Sequence, residues 1–215
     1  MAEIHIITPA NRSLYEDVIE KSLRVRYDIF VRELGWRALE RPDGRDLDAY
    51  DQPDTVYILA IEGDRVIGGQ RLNPTVRPHL LSEVFPHLAH VKGIPIAPDI
   101  WECTRYFVVK ERRSGRTDCR LLAAVQEFGL QEGISQLTAI VETWWLPRFH
   151  EAGFKVRPLG LPHLIENRWA IAAAIDISPA TLDRVKALAR IKGSVLVRNG
   201  PQQSLLEMAT SATRH

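Results

Sequence analysis

The sequence predicts strands flanked by helices, an α+β fold or α/β sandwich. Three observations carry this: apolar strand-like runs alternate with helical stretches, an early pair of strands has hairpin chemistry at its turn, and two long segments show helical apolar spacing. Residues 11–36 read as one long helix. Ile19, Leu23, Arg26 and Phe30 share a stripe, while Asp17/Lys21, Glu20/Arg24 and Arg24/Asp28 are i,i+4 pairs opposite it. Gly35 marks the helix end before Trp36.

A polar, acid-rich loop covers 41–54, and strands over 55–62 and 65–72 meet at the Gly63-Asp64 turn. Residues 80–88 form a short helix, 100–109 a strand, and 118–132 a helix with Leu121, Leu122, Val125, Phe128 and Gly129 inward. A buried strand spans 137–143, and Pro147 opens a short helix to 152. Two more strands follow at 154–158 and 170–177, and Ser178-Pro179 caps a helix running to 191. Residues 1–200 are expected to be one domain and 201–215 a frayed tail.

Composition narrows the function. The 215 residues carry 28 Lys+Arg against 27 Asp+Glu, a formal charge of +1, which argues against a protein built to neutralise phosphates on nucleic acid. Two cysteines, Cys103 and Cys119, make no disulfide framework and lack zinc spacing; the seven histidines are scattered, so no metal site is expected. No secretory signal and no apolar run near the ~20 residues of a bilayer span is visible. A cytoplasmic protein without membrane contact is expected. Dinucleotide-binding, P-loop, zinc-protease and serine-hydrolase motifs are missing from the sequence.

Several charged residues fit a structural role poorly. Arg26 lies on an apolar stripe, where it either snorkels to water or meets a carboxylate. Asp46, Asp48 and Asp51, flanked by Asp43 and Asp54, are turn formers or such partners; the Gly at position six and Glu at twelve of a calcium loop are missing. Arg71 follows Gly68-Gly69-Gln70 inside a strand, which marks either close approach of a backbone or ligand, or a bulge with a solvated arginine. Glu102 and Arg105 stand in another apolar strand. Alternation puts them on opposite faces, and a bulge between them would turn both toward one cleft. If these segments converge, they build a site with tuned charges.

Five ordered blocks then resemble the LuxI-type acyl-homoserine-lactone synthases over nearly the whole chain. They are Arg26, Phe30 and Trp36; Asp48 and Asp51; Arg71 before Pro74-Thr75; Ser82, Glu83, Val84 and Phe85; and Glu102, Thr104 and Arg105. Where that family commonly has Glu two residues before the first aspartate, this chain has Asp46. The Glu142-Thr143-Trp144-Trp145-Leu146-Pro147-Arg148 run and the 41–45 loop look like the coenzyme-A-using, isovaleryl-homoserine-lactone synthase subgroup.

The resemblance implies a Gcn5-type N-acetyltransferase-like fold, with a splayed mixed sheet that admits a thioester arm. It implies an acyltransferase that makes a quorum-sensing signal. The α-amine of S-adenosyl-L-methionine attacks an acyl thioester, and its carboxylate then displaces methylthioadenosine to close the lactone. Glu102 is the implied base, acting directly or through water, and backbone N–H groups near Phe107 meet the developing oxyanion. Arg71 and Arg105 orient the carboxylate and the acidic network, Asp48 holds the ammonium or adenosyl side, and Asp51 partners Arg26. Phe30 and Trp36 pack on the purine or sulfonium. Phe85, Phe107, Thr143, Trp144 and Trp145 line an acyl pocket sized for a short branched chain.

Both molecules are substrates, so no cofactor is expected; acyl-CoA is the donor, with an acyl carrier protein the alternative, and the enzyme is a monomer. Residues 112–117 faintly echo the superfamily's pyrophosphate loop, and the basic stretch 184–198 reads as a solvated face or a carrier-protein contact. Two rival readings are an acetyl-CoA-dependent N-acetyltransferase on a small amine and a non-catalytic module that binds an adenosyl ligand.

Overall fold

The alternating apolar residues of the first half of the chain build the centre of a nine-stranded mixed sheet. In this computed structural model, which describes residues 2–212, β1 (Glu3–Ile7) pairs antiparallel with β2 (Val56–Glu62). The hairpin at Gly63-Asp64 forms as predicted, joining β2 to β3 (Arg65–Pro74), which pairs antiparallel with β4 (Ile100–Val108). β4 runs parallel to β5 (Gln136–Glu142), but only Ile100, Trp101 and Glu102 pair with Gln136, Leu137 and Thr138. Past Glu102 the ladder between them stops and the sheet opens. β6 (Val156–Pro158) and β7 (His163–Ile165) both pair with β8 (Arg168–Asp176), which lies antiparallel to β5. β9 (Leu196–Val197) adds a parallel edge beside β1.

The long helix predicted at the start is three helical forms in series: a 3₁₀ turn (Arg12–Tyr15), α1 (Glu16–Tyr27) and a π-helical turn (Asp28–Glu33). Its stripe is buried as predicted, and Gly35 takes φ +75° just past its end. Of the three expected surface pairs, Glu20–Arg24 closes at 2.9 Å; Lys21 donates to the Asp64 carbonyl, and Asp28 pairs with Arg32. The helix predicted over 80–88 divides into α2 (Leu80–Glu83) and a 3₁₀ turn (Pro86–Ala89), because Pro86 has no N–H to continue the ladder.

α3 (Thr117–Glu132) buries Leu121, Leu122, Val125, Phe128 and Gly129. α4 (Trp145–Glu151) starts two residues ahead of Pro147, which a first turn tolerates. α5 (Pro179–Ala189) is capped by Ser178, whose Oγ accepts from the Thr181 N–H at 3.2 Å.

Within the 201–215 tail, Leu205–Ala212 forms α6, with Leu205 and Ala209 buried in the core at i,i+4 spacing, and residues 213–215 lie outside the described residues. The strands β1, β7 and β9 also go beyond the sequence reading, since each is short and is defined by its neighbours rather than by its own pattern.

Alternation gives the sheet two buried faces. Ile4, Ile6, Ile58, Leu72 and Trp101 meet α3, while Ile7, Tyr57, Leu59, Val66 and Phe107 meet Ile19, Leu23 and Phe30 of the first helix. The glycines of β3 serve this packing. A Cβ on Gly69 would lie 2.5 Å from Leu59 Cδ2 and 3.2 Å from Phe107 Cε1, so the close approach comes from the protein itself. The basic stretch 184–198 is partly turned inward: Lys186 pairs with Glu127 at 2.9 Å and Arg198 with Glu132 at 2.8 Å.

Candidate active site

Strand register assembles the site on the α1 side of the sheet. Arg71 sits opposite Thr104 and Asn73 opposite Glu102, so four polar side chains share one face of β3 and β4. α1 delivers Arg26 above them, and the loop between the first helix and β2 brings Asp46, Asp48 and Asp51. Arg105 reaches the same place through a bulge. Thr104 pairs with Arg71 and Phe107 with Gly69, so Arg105 and Tyr106 together oppose Gln70. Arg105 takes φ +52°, a left-handed conformation that bulky residues adopt only when their surroundings enforce it. Ion pairs enforce it here.

Three arginines and three aspartates form one connected network. Arg26 donates from Nε to Asp46 Oδ2 at 2.9 Å and, in a fork, to both Asp51 oxygens at 2.7 and 3.0 Å. Arg71 grips both Asp48 oxygens at 2.6 and 3.2 Å, reaches Asp51 Oδ2 at 2.9 Å, and donates to Thr104 Oγ1 at 2.9 Å. Arg105 donates to Asp46 Oδ2 and Asp48 Oδ2, both at 2.7 Å. Tyr57 adds its hydroxyl to Asp51 Oδ1 at 2.9 Å. Snorkelling is ruled out for Arg26, which is 2% exposed. The paired forks are the strong form of this contact, and every charge of the network has an opposite partner.

Burial alone would raise Asp46 and Asp51, but Arg105 and Arg26 at the first and Arg26 and Arg71 at the second outweigh it and hold both below the usual range. A carboxyl depressed in the folded state contributes stability above its unfolded value near 3.9, lost as pH falls through the lowered value. Urea denaturation between pH 7 and pH 2 is therefore expected to show stability falling below about pH 4. Asp51→Asn should flatten that acid limb; an unchanged slope would contradict the assignment.

Glu102 is placed differently. It lies next to the network but outside its hydrogen bonds, 1% exposed, accepting from the Leu80 N–H at 3.0 Å and the Leu81 N–H at 2.6 Å at the start of α2. Burial raises its pKa, and the two amides, His79 and Arg71 offset this only in part. The result is a carboxylate more basic than an exposed glutamate, beside a fixed cluster of balanced charge.

Phe30 stacks on Trp36 with centroids 5.0 Å apart and lies under the Arg105 guanidinium at 5.6 Å. Trp36 keeps a buried indole N–H with no acceptor among the described residues.

The five residues expected to line an acyl pocket are not gathered into one contact set. Phe107 packs with the first helix, Phe85 against the cluster that holds Leu81 and Leu88, and Trp145 with Tyr106 and Phe149. Thr143 is half-buried, and Trp144 is 56% exposed, stacked on Trp145 at 4.7 Å. Phe107 on β4 and Thr143, Trp144 and Trp145 beyond β5 flank the opening where the ladder stops. Asp46, a possible carboxylate partner in the sequence, and Thr104, part of the fifth block, both join the network. Tyr57 is the member that the sequence did not mark, since it reads as core until the register is known.

The autoinducer synthase family profile matches residues 11–185. An isovaleryl-homoserine lactone synthase of Bradyrhizobium diazoefficiens (strain JCM 10833 / BCRC 13528 / IAM 13628 / NBRC 14792 / USDA 110) is 62% identical over 180 residues, 84% of this chain and 82% of that protein. The solved structure of a CoA-dependent acyl-homoserine lactone synthase, BjaI, with SAM and isopentyl-CoA superposes with TM-score 0.95 at 55% identity, covering 98% of this chain and 100% of the other. An acyl-CoA N-acyltransferase from Pseudomonas aeruginosa, 13% identical, shares the fold with TM-score 0.59 over 81% of this chain and 99% of its own. The splayed, N-acyltransferase-like sheet is thus observed as expected, and the chain belongs to the autoinducer synthases, the acyl-homoserine-lactone synthase family.

Proposed function

We propose that this enzyme joins S-adenosyl-L-methionine to isovaleryl-CoA, releasing coenzyme A and methylthioadenosine and leaving isovaleryl-homoserine lactone. The observation that carries the reading is a charge-balanced network beside a buried, unusually basic carboxylate, at the point where the sheet opens. The likeness to the Bradyrhizobium enzyme supports the choice of acyl group. Asp48, the network aspartate that reaches furthest toward solvent, meets the ammonium or adenosyl side, and Arg71 and Arg105 orient the carboxylate. Trp36 and Phe30 pack on the purine or sulfonium, with the free indole N–H as a donor. Glu102 takes the amine proton, which leaves a neutral nucleophile for the thioester carbonyl.

The bulge and the open edge of β4 leave backbone N–H groups near Phe107 for the oxyanion. Displacement of a sulfonium needs little further activation, so the second step depends on folding the methionyl chain into attack geometry. The N-terminus of α3 suits the pyrophosphate of coenzyme A. Arg112 and Arg113 are engaged with Glu62 and Glu33, while Arg116 is exposed beside that terminus. The reading keeps a cytoplasmic monomer without a resident cofactor.

Purified protein with S-adenosylmethionine and a panel of acyl-CoA and acyl-carrier thioesters, read by mass spectrometry, tests this directly. Isovaleryl-homoserine lactone should dominate; acetylated amine without methylthioadenosine would favour the N-acetyltransferase reading, and binding without turnover the sensor reading. Trp145→Ala should shift preference toward longer acyl chains by removing an indole beside the opening. An unchanged chain-length profile would remove Trp145 from the pocket.

A further inference from the structure

A column of three aromatic rings stands beside the opening between β4 and β5. Phe149 stacks on Trp145 with centroids 5.5 Å apart and planes at 28°, and Trp145 stacks on Trp144 at 4.7 Å and 27°. Phe149 closes the inner end, buried against Phe154. Trp144 is the outer end. It is 56% exposed although Trp145 covers one of its faces, so the other face is open to solvent. An exposed side chain is ordinarily free to change rotamer, but this one is held. Its Nε1 donates to Glu142 Oε2 at 2.5 Å, and Arg168 donates to the same oxygen at 3.2 Å. A flat apolar surface that is fixed yet uncovered is preorganised for a flat partner, because little freedom is left to lose on binding.

The column stands where the nucleotide end of a coenzyme A thioester would emerge. β4 and β5 run parallel and pair only at their starts, so the gap lies toward their C-terminal ends. From Thr138, the strand partner of Glu102, to Glu142 at the end of β5 is about 13 Å, a span that suits the pantetheine arm. Contacts tie the column to the other rim. The Tyr106 ring of β4 meets Trp145 edge-on at 5.3 Å, and the Arg148 guanidinium lies over Trp145 at 5.0 Å while pairing with Asp118 in the first turn of α3. The N-terminus of that helix suits the pyrophosphate. Trp145 touches both Tyr106 and Trp144, which leaves Trp144 outside the opening rather than on its inner wall.

We propose that Trp144 is the platform on which the adenine ring of coenzyme A stacks, as a fourth ring on the column. The inference rests on the reading of acyl-CoA as the donor and deepens it. Every base has a π face, so such a platform needs no matching of hydrogen-bond edges. A carrier-protein thioester has the pantetheine arm but no adenine, and the contact therefore favours coenzyme A.

Kinetics with isovaleryl-CoA and with isovaleryl-pantetheine, which keeps the thioester and the arm but lacks the nucleotide, test this. In Trp144→Ala the ratio of kcat/KM for the first over the second is expected to fall about tenfold, within the range for one lost base–aromatic stack, while Trp144→Phe holds it within about threefold of the parent. Adenosine 3′,5′-bisphosphate should compete with isovaleryl-CoA in the parent and bind about tenfold more weakly to Trp144→Ala. Equal losses with both thioesters would put the indole on the arm or the acyl group and overturn the proposal, as would unchanged inhibition by the bisphosphate. If the pantetheine thioester is not turned over, that inhibition decides. If Trp144→Ala does not fold, Trp144→Leu, which has an apolar side chain but no π face, is judged by the same two measurements. A parent enzyme that uses carrier-protein thioesters and no acyl-CoA would instead defeat the reading beneath it.

Discussion

Glu102→Gln is expected to lower the acylation rate by about 10²–10⁴-fold while the protein stays folded. The substitution keeps size and shape but removes the only site on this side chain that binds a proton at neutral pH. Structurally the change is mild. Glu102 accepts two backbone N–H groups, and the amide oxygen keeps one of them. The other N–H then faces an NH2 group, a cost of about 1–3 kcal/mol for a buried unsatisfied donor. Removing a buried charge works in the opposite direction, because burial raises the Glu102 pKa above its ordinary value.

The same shift sets the pH dependence. A carboxylate must be ionised to act as base, so the parent rate should fall as pH drops through a value above the usual 4.3 or so. Glu102 itself contributes stability at pH below its unfolded value, lost as pH rises through the raised one. Rapid-quench measurement of S-adenosylmethionine acylation at several pH values checks both points. A glutamine variant with parental single-turnover rates would remove Glu102 from the chemistry.

Arg26→Ala is expected to cost about 3–5 kcal/mol of unfolding free energy, a large part of the 5–15 kcal/mol typical of a domain. Arg26 is buried and holds Asp46 and Asp51 together with three hydrogen bonds. Its loss leaves two buried carboxylates short of positive charge, with Arg71 and Arg105 as their remaining partners. The cost is the penalty of stranding those charges rather than the net worth of the ion pairs. Combining Arg26→Ala with Asp51→Asn should recover part of the loss, since the second change removes a stranded charge. Urea denaturation of the single and double variants checks this. Simple additivity would contradict a coupled network.

The charge cluster was legible in the sequence because arginines on apolar stripes and strands are costly without partners. Arg26, Arg71 and Arg105 each broke the pattern of its own element, and the acids of the 46–51 loop were the nearest supply of opposite charge. Even the β4 bulge was foreshadowed, since only an extra residue turns Glu102 and Arg105 to one side. What sequence could not give was register. Tyr57 entered the site through a strand pairing that no local pattern encodes, nor does any local pattern say which arginine each acid of the loop meets. The wall of the acyl pocket was less legible still, because aromatic residues fit a core and a binding surface equally well. Trp144 shows this: two tryptophans in a row suggested one wall, yet one is mostly exposed and the other packs against Tyr106 and Phe149. α6 was not legible because its two core positions, Leu205 and Ala209, are a short signal near the end of the chain.

The most direct test follows both leaving groups in one reaction. With S-adenosylmethionine and isovaleryl-CoA, free thiol and methylthioadenosine should appear in a 1:1 ratio, and Arg71→Met and Glu102→Gln should suppress both. Thiol release without methylthioadenosine, or equal release by the Glu102→Gln enzyme, would contradict the account.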